Sequence, residues 1–207
     1  MDLSRPYAAV SSGLEGEVLV TLSRTTRPLT GSEVARLVRR GTRPGIQRAL
    51  HRLVGHGLVL SREAGRAFLY TLNREHLAFP AVELLAGIRG ALLERLRERI
   101  AAWQTRAVHV SVFGSAARGD GGIDSDVDLL VVRPVKVDEE DPLWRSQVDD
   151  LLQSIERWTG NRAAVAEISE QRVARLKRDR PSVVGDLKKD AVVLAGLTTR
   201  QLLGGRR

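Results

Sequence analysis

Apolar residues recur at helical spacing in four stretches of the first half of the chain. The first runs from Leu14 to Leu22, and a short second helix is expected behind the capping-box pair of Thr30 and Glu33. A third helix is predicted over 44–54. A long amphipathic pattern from Pro80 to about Ala102 predicts a connecting helix.

Alternating and short apolar runs predict strands. Residues 58–62 and 67–72 flank a polar turn at 63–66, which is typical of a hairpin. Further along the chain, strands and helices alternate, and no element is assigned to 198–207. The expected strands are 107–113, 129–132, 163–168 and 191–196, and the expected helices are 142–158, 169–176 and 182–189.

Three helices followed by a hairpin resemble a winged helix-turn-helix over residues 12–75, and the phrase from Leu50 to Val59 is similar to the end of its recognition helix. The resemblance implies that the third helix lies in the major groove of double-stranded DNA and that the hairpin contacts the backbone. The residues placed for this are Arg43, Gln47, Arg48, Arg52, Arg62 and Arg66. The alternative is that these cations form only the solvated face of a small domain.

Charge separates the two parts of the chain. The whole chain carries +8, of which residues 1–78 contribute +6 and residues 79–207 contribute +2. Arginine suits phosphate recognition, but a GC-rich genome would also supply it, so the choice of Arg carries little weight. The polar, cationic face of the third helix favours DNA binding over a purely structural role.

The amino-acid composition excludes several classes of protein and of site. With 207 residues and 43% apolar residues, the chain can bury a core, which excludes a disordered protein. The absence of Cys excludes disulfides, thiolate metal sites and a cysteine nucleophile. No apolar run reaches the roughly 18 residues of a membrane span, so we expect a cytoplasmic protein without membrane contact.

Residues 107–128 contain residue types that packing in a hydrophobic core does not explain. An apolar strand runs into Gly114 and Ser115, and Asp126 and Asp128 follow just before another apolar strand. Residues i and i+2 of a strand project to the same side, so the two carboxylates repel unless a cation neutralises them. Mg²⁺ prefers such carboxylates together with substrate phosphates, and glycine lets a phosphate approach the backbone. The pattern predicts a site for a metal-bound nucleoside triphosphate.

Gly-Ser, a ten-residue interval and Asp-x-Asp, with each half next to a strand, resemble the signature of the nucleotidyltransferases of the DNA polymerase beta superfamily, especially the minimal nucleotidyltransferases. The resemblance implies that Gly114, Ser115 and Arg118 bind the triphosphate. It implies that Asp126 and Asp128 hold Mg²⁺ or Mn²⁺ for catalysis.

The superfamily also has a third carboxylate on a later strand, commonly the general base. In this sequence the candidate is Glu167, in the strand 163–168. A shift of one residue in register would put Ala166 at the site and Glu167 on the other face of the sheet.

These observations predict an α+β chain: a winged helix over 1–78, a connector helix over 79–104 and a small nucleotidyltransferase domain with a mixed sheet over 105–207. The expected reaction moves a nucleoside monophosphate to a hydroxyl of a macromolecular acceptor, a protein or tRNA, and the resemblance implies a toxin–antitoxin or defence context. The alternative is a transcriptional regulator whose second domain binds nucleotide without turnover. Homodimerisation through the connector helix or the winged helix is left open.

Overall fold

A computed structural model of the chain describes residues 1–38, 40–179 and 181–204. The chain forms two compact units. The N-terminal unit comprises Pro6–Ile88, and the C-terminal unit comprises Met1–Arg5 with Arg89–Arg207. Their boundary at residues 88 and 89 falls inside the connector helix, between the two domain boundaries that the sequence predicts.

The N-terminal unit begins with a short 3-10 helix and continues with three α-helices, of which the second and third are capped by side chains. Thr30 and Glu33 form the expected capping box: the Thr30 N–H donates to Glu33 Oε2 at 2.8 Å and the Glu33 N–H donates to Thr30 Oγ1 at 3.2 Å. Thr42 Oγ1 accepts from the Gly45 N–H at 3.2 Å. The helices are α1 (Leu14–Ser23), α2 (Gly31–Val38) and α3 (Arg43–Gly55).

A small antiparallel sheet completes this unit. It contains β1 (Leu29–Thr30), β2 (Val59–Ala64) and β3 (Ala67–Leu72) in the order β1-β3-β2. The hairpin is confirmed, although its turn contracts to residues 65–66. The two-residue β1 has too few alternating positions for sequence periodicity to indicate it. The core under the sheet includes Val18, Leu29, Val34, Ile46, Leu50 and Leu53.

The connector helix α4 (Phe79–Ala101) begins in the N-terminal unit and ends in the C-terminal unit. Val82 is buried in the core of the first unit, and Leu96 and Ile100 are buried in a core of the second. Among the residues that the structure describes, no helix combines the length and the apolar character that a bilayer span requires.

The C-terminal unit is built on a four-stranded sheet with the order β6-β5-β4-β7. Strand β5 pairs antiparallel with β4 and parallel with β6, and β4 pairs antiparallel with β7. The expected mixed sheet is therefore confirmed. The strands are β4 (His109–Phe113), β5 (Val127–Arg133), β6 (Ala163–Ser169) and β7 (Val192–Gly196).

Helices cover this sheet on both sides. They are α5 (Gly114–Arg118), α6 (Pro142–Thr159), α7 (Val173–Asp179), α8 (Pro181–Asp190) and α9 (Thr199–Gly204), with a 3-10 helix at Glu170–Arg172. The expectation of no element after Thr198 is wrong for α9, because Leu202 and Leu203 are buried and give this short helix an apolar side to pack. Residues 205–207 lie outside the described part of the chain.

The central strand β5 faces a different apolar layer on each side. Leu129 and Val131 belong to the core that also contains Trp144 of α6. Leu130 and Val132 belong to the core that contains residues of α7, α8 and α9. Asp128 has the parity of Leu130, so its carboxylate lies on the α7–α9 side, at the strand's beginning.

Candidate active site

Gly114 and Asp128 are in direct contact. Strand β4 ends at Phe113, which pairs with Asp128, and the chain then turns at Gly114 with φ of +67°. A Cβ at residue 114 would lie 2.6 Å from Asp128 Oδ2. Both the left-handed backbone and the close carboxylate therefore require glycine here.

The two aspartates stand at the start of β5, with the buried Val127 between them. Asp126 is exposed and Asp128 is half-buried. Burial raises the pKa of the Asp128 carboxyl above its ordinary value, and the negative charges of Asp126 and Asp186 raise it further, whereas Arg118 acts in the opposite direction. The protein therefore holds like charges together at an electrostatic cost.

Asn161 fixes the loop that leads into Asp126. Its side chain is buried, and its Nδ2 donates to the carbonyl oxygens of Ile123 and Ser125 at 3.0 and 2.9 Å. The Val127 N–H donates to the Arg162 carbonyl at 2.8 Å. Nothing in the local sequence pattern around Asn161 indicates which loop its side chain would reach.

Arg118 joins two elements at the edge of the site. Its Nε donates to Asp120 Oδ2 at 2.9 Å, and its Nη1 donates to Asp190 Oδ2 of α8 at 3.3 Å. Its side chain is 35% exposed. A triphosphate would have to compete with these two carboxylates for the guanidinium.

Residues 92–192 match the family model described as the nucleotidyltransferase domain. This region is similar to nucleotidyltransferase domains. The match includes the Gly114–Ser115 turn and both aspartates, and it supports an enzyme of nucleotidyl group transfer. Comparisons with curated proteins and with solved structures gave no match.

Nucleotidyltransferase domains generally use divalent metal ions, and two features of this domain fit one. Asp126 and Asp128 supply hard oxygen ligands, and their mutual repulsion would be relieved by a cation. Among the described residues, no group of three or more His, Cys, Asp or Glu is placed to hold a metal.

The structure does not bring Glu167 to the two aspartates of the nucleotidyltransferase domain. In the parallel register of β5 and β6, Asp128 pairs with Ala164 and Val131 pairs with Glu167. Glu167 therefore points to the opposite face, where its Oε1 accepts from Arg133 Nε at 2.9 Å and from Trp144 Nε1 at 2.8 Å. The expected catalytic position of Glu167 is corrected, because its carboxylate forms an ion pair with the buried Arg133. Ala164 and Ala166 lie on the Asp128 face of the sheet instead.

Outside the nucleotidyltransferase domain, the six predicted DNA contacts are exposed in the N-terminal unit. Three of them bond within this unit: Arg43 donates to Ser32 Oγ at 2.7 Å, Gln47 to the Tyr70 hydroxyl at 3.0 Å, and Arg52 Nε to Glu15 Oε1 at 2.5 Å. The other three are Arg48 on α3, Arg62 on β2 and Arg66 in the hairpin turn.

Replacing Glu167 separates a structural role from a catalytic one. We expect Glu167→Ala to lower the free energy of unfolding by about 3 kcal/mol, because it leaves the buried Arg133 charge without its partner. Transfer of the labelled nucleotide from an α-labelled nucleoside triphosphate, measured per folded molecule, should stay within about threefold of wild type. The reason is that a group outside the reaction contributes little to the activation free energy of transfer. Urea unfolding and a transfer assay on the folded fraction measure the two quantities.

Glu139→Ala is the matched control. Its Oε2 lies 3.5 Å from Arg133 Nη2, but the side chain is 58% exposed. Its loss should cost less than about 1 kcal/mol. A loss of transfer of about 100-fold or more in Glu167→Ala, with unchanged stability, would restore the general-base assignment.

Proposed function

We propose that the domain moves a nucleoside monophosphate from a nucleoside triphosphate to a hydroxyl of a macromolecular acceptor, in a reaction that needs Mg²⁺ or Mn²⁺. The contact between Gly114 and Asp128 carries this proposal. This contact brings together a turn that a phosphate can approach and two carboxylates that suit a cation.

Each residue has a defined task in the proposed reaction. Gly114 and Ser115 bind the triphosphate, the latter through its hydroxyl, and Arg118 adds a positive charge at the edge of the site. Asp126 and Asp128 hold the metal, which supplies charge neutralisation at the α-phosphate. The acceptor oxygen forms a bond to the α-phosphorus while the bond to the bridging oxygen of pyrophosphate breaks. Pyrophosphate leaves with the electron pair of that bond, and the acceptor proton passes to solvent water.

The proton acceptor is not assigned to β6. Ala164 lies opposite Asp128 in the parallel register, and Ala166 follows on the same face. An alanine cannot take up a proton. This observation favours the second candidate, a regulator that binds nucleotide without turnover, whereas the family match supports transfer.

We also propose that the N-terminal unit is a winged helix that binds double-stranded DNA. Its element order, α1-β1-α2-α3 followed by the β2–β3 hairpin, supports this proposal. Arg48 is exposed on α3 and makes no ion pair with any residue that the structure describes. The same exposed surface of α3 includes Pro44, Gln47, His51 and Arg52.

Transfer is tested with each α-labelled nucleoside triphosphate, Mg²⁺ or Mn²⁺, and host lysate with its RNA. We expect a labelled protein or RNA band from the wild type and a loss of at least about 100-fold in Asp126→Ala/Asp128→Ala, because these variants remove the metal ligands. Asp124→Ala, an exposed acid of the same loop, is the matched control. Absence of label with every triphosphate from folded protein would favour the regulator.

DNA binding is tested by titrating duplex DNA at several salt concentrations. Arg48→Ala/Arg52→Ala should weaken binding and reduce the slope of log Kobs against log salt by about 1 to 2, since each lost phosphate contact releases about one counterion fewer. Arg24→Ala/Arg74→Ala removes the same charge outside α3 and the hairpin, and should leave the slope unchanged. Equal effects of the two pairs, or no DNA binding at low salt, would contradict the proposal.

A further inference from the structure

Arg89 stands on the face of helix α4 that packs on the core of the C-terminal unit. It precedes Leu93 and Leu96 by four and seven residues, so the three side chains project from the same side of the helix. Leu96 is buried in the core that also contains the two alanines of α5, and Leu93 packs against that core. This face therefore brings Arg89 to the helix that carries the Gly114–Ser115 turn.

The Arg89 guanidinium binds the end of α5. Its Nη2 donates to the carbonyl oxygen of Ala117. Gly119 follows α5 directly in the left-handed conformation, with φ of +74°. A Cβ at Gly119 would lie 3.2 Å from Arg89 Nε and 3.4 Å from Arg89 Cζ, so the guanidinium also packs closely against this residue. A cation at the C-terminus of a helix stabilises the partial negative charge of its last carbonyl groups.

Helix α5 depends on such a contact because it contains only five residues. A single turn forms few hydrogen bonds of its own, and its last carbonyl groups have no partner inside the helix. The Ser115 carbonyl accepts from the N–H groups of Gly119 and Asp120 at 2.8 and 3.1 Å. The Ala117 carbonyl accepts from Arg89. Arg89 therefore supplies a hydrogen bond that α5 cannot form within itself.

The charge of Arg89 has no carboxylate partner among the described residues. Arg89 is half-buried, forms no ion pair within the described part of the chain, and its Nε is buried without a hydrogen-bond partner there. Arg118 differs, since its guanidinium is bonded to Asp120 and Asp190. A cation that is partly removed from water is unfavourable unless an anion lies near it. A triphosphate at the Gly114–Ser115 turn would supply that negative charge.

We propose that Arg89 is a positioning residue of the candidate active site: it fixes α5, and with it the Gly114–Ser115 turn, in the orientation that binds the triphosphate. This inference rests on the proposed transferase function. Arg89 acts through the backbone of Ala117 and not by contact with the reacting atoms. Its unpaired positive charge also favours the approach of an anion to the turn.

Hydrogen–deuterium exchange of the full chain tests the contact. Arg89→Met keeps a long, unbranched side chain and removes both the charge and the hydrogen-bond donors. We expect the Gly119 and Asp120 amides to exchange at least about tenfold faster in Arg89→Met, with no change in β5, because α5 opens locally. Arg97→Met is the matched control: Arg97 lies on the same helix and pairs with the exposed Glu94, so its loss should not change these two amides.

Equilibrium dialysis with each α-labelled nucleoside triphosphate and Mg²⁺ provides the second readout. Arg89→Met should raise Kd for the triphosphate about tenfold or more, because a misplaced turn loses its alignment with the phosphates. Arg89→Lys keeps the charge and a donor, so its Kd should stay within about threefold of wild type. Binding of Mn²⁺ without nucleotide should be unchanged in Arg89→Met, which a general loss of structure would not allow.

Four results would each overturn the inference: unchanged exchange at Gly119 and Asp120 in Arg89→Met, an equal increase of exchange in β5, an unchanged Kd for the triphosphate, or an equal loss of affinity in Arg97→Met. Faster exchange confined to α5, in a protein whose wild type binds no nucleoside triphosphate, would support the role of Arg89 in fixing α5 and contradict the transferase proposal instead. The two failures are therefore distinguishable.

Discussion

The close approach of Asp128 to the backbone of Gly114 is the constraint on which the site depends. Antiparallel pairing of β4 with β5 puts Phe113 opposite Asp128, so the residue after Phe113 must turn beside a carboxylate. Only a residue without a Cβ fits there, and only glycine adopts the positive φ at little cost. One pairing thus places the Gly114–Ser115 turn and the Asp128 carboxylate together, although Gly114 and Asp128 are separated by 14 residues in sequence.

The rest of the C-terminal unit supports that arrangement. The two apolar layers on either side of β5 hold the strand that carries Asp128. Asn161 holds the preceding loop, which lies between the Gly114–Ser115 turn and Asp126. Arg118 connects α5 to α8 through Asp190. These contacts hold two like charges close together, which an isolated loop would relax by moving apart.

Local sequence patterns predicted most elements because helical and strand periodicities are properties of neighbouring residues. They predicted the Gly114–Asp128 constellation because the motif lies within one β-turn-helix-loop-β segment. Side-chain direction on β6 depends on the register between β5 and β6, which no local pattern specifies, and this is why Glu167 was placed on the wrong face. The contacts of Asn161 and the packing of α9 are likewise long-range, and the two-residue β1 is too short to have a period.

We expect Asp126 and Asp128 to form one cation site. Mn²⁺ binding to the full chain, followed by electron paramagnetic resonance in the presence of a nonhydrolysable nucleoside triphosphate, tests it directly. Asp126→Asn and Asp128→Asn should each weaken Mn²⁺ binding about tenfold or more, and Asp124→Asn should not. Because burial raises the pKa of Asp128, protons should displace Mn²⁺ at a higher pH than from an ordinary aspartate. Unchanged Mn²⁺ binding in both asparagine variants would contradict a shared cation site at Asp126 and Asp128.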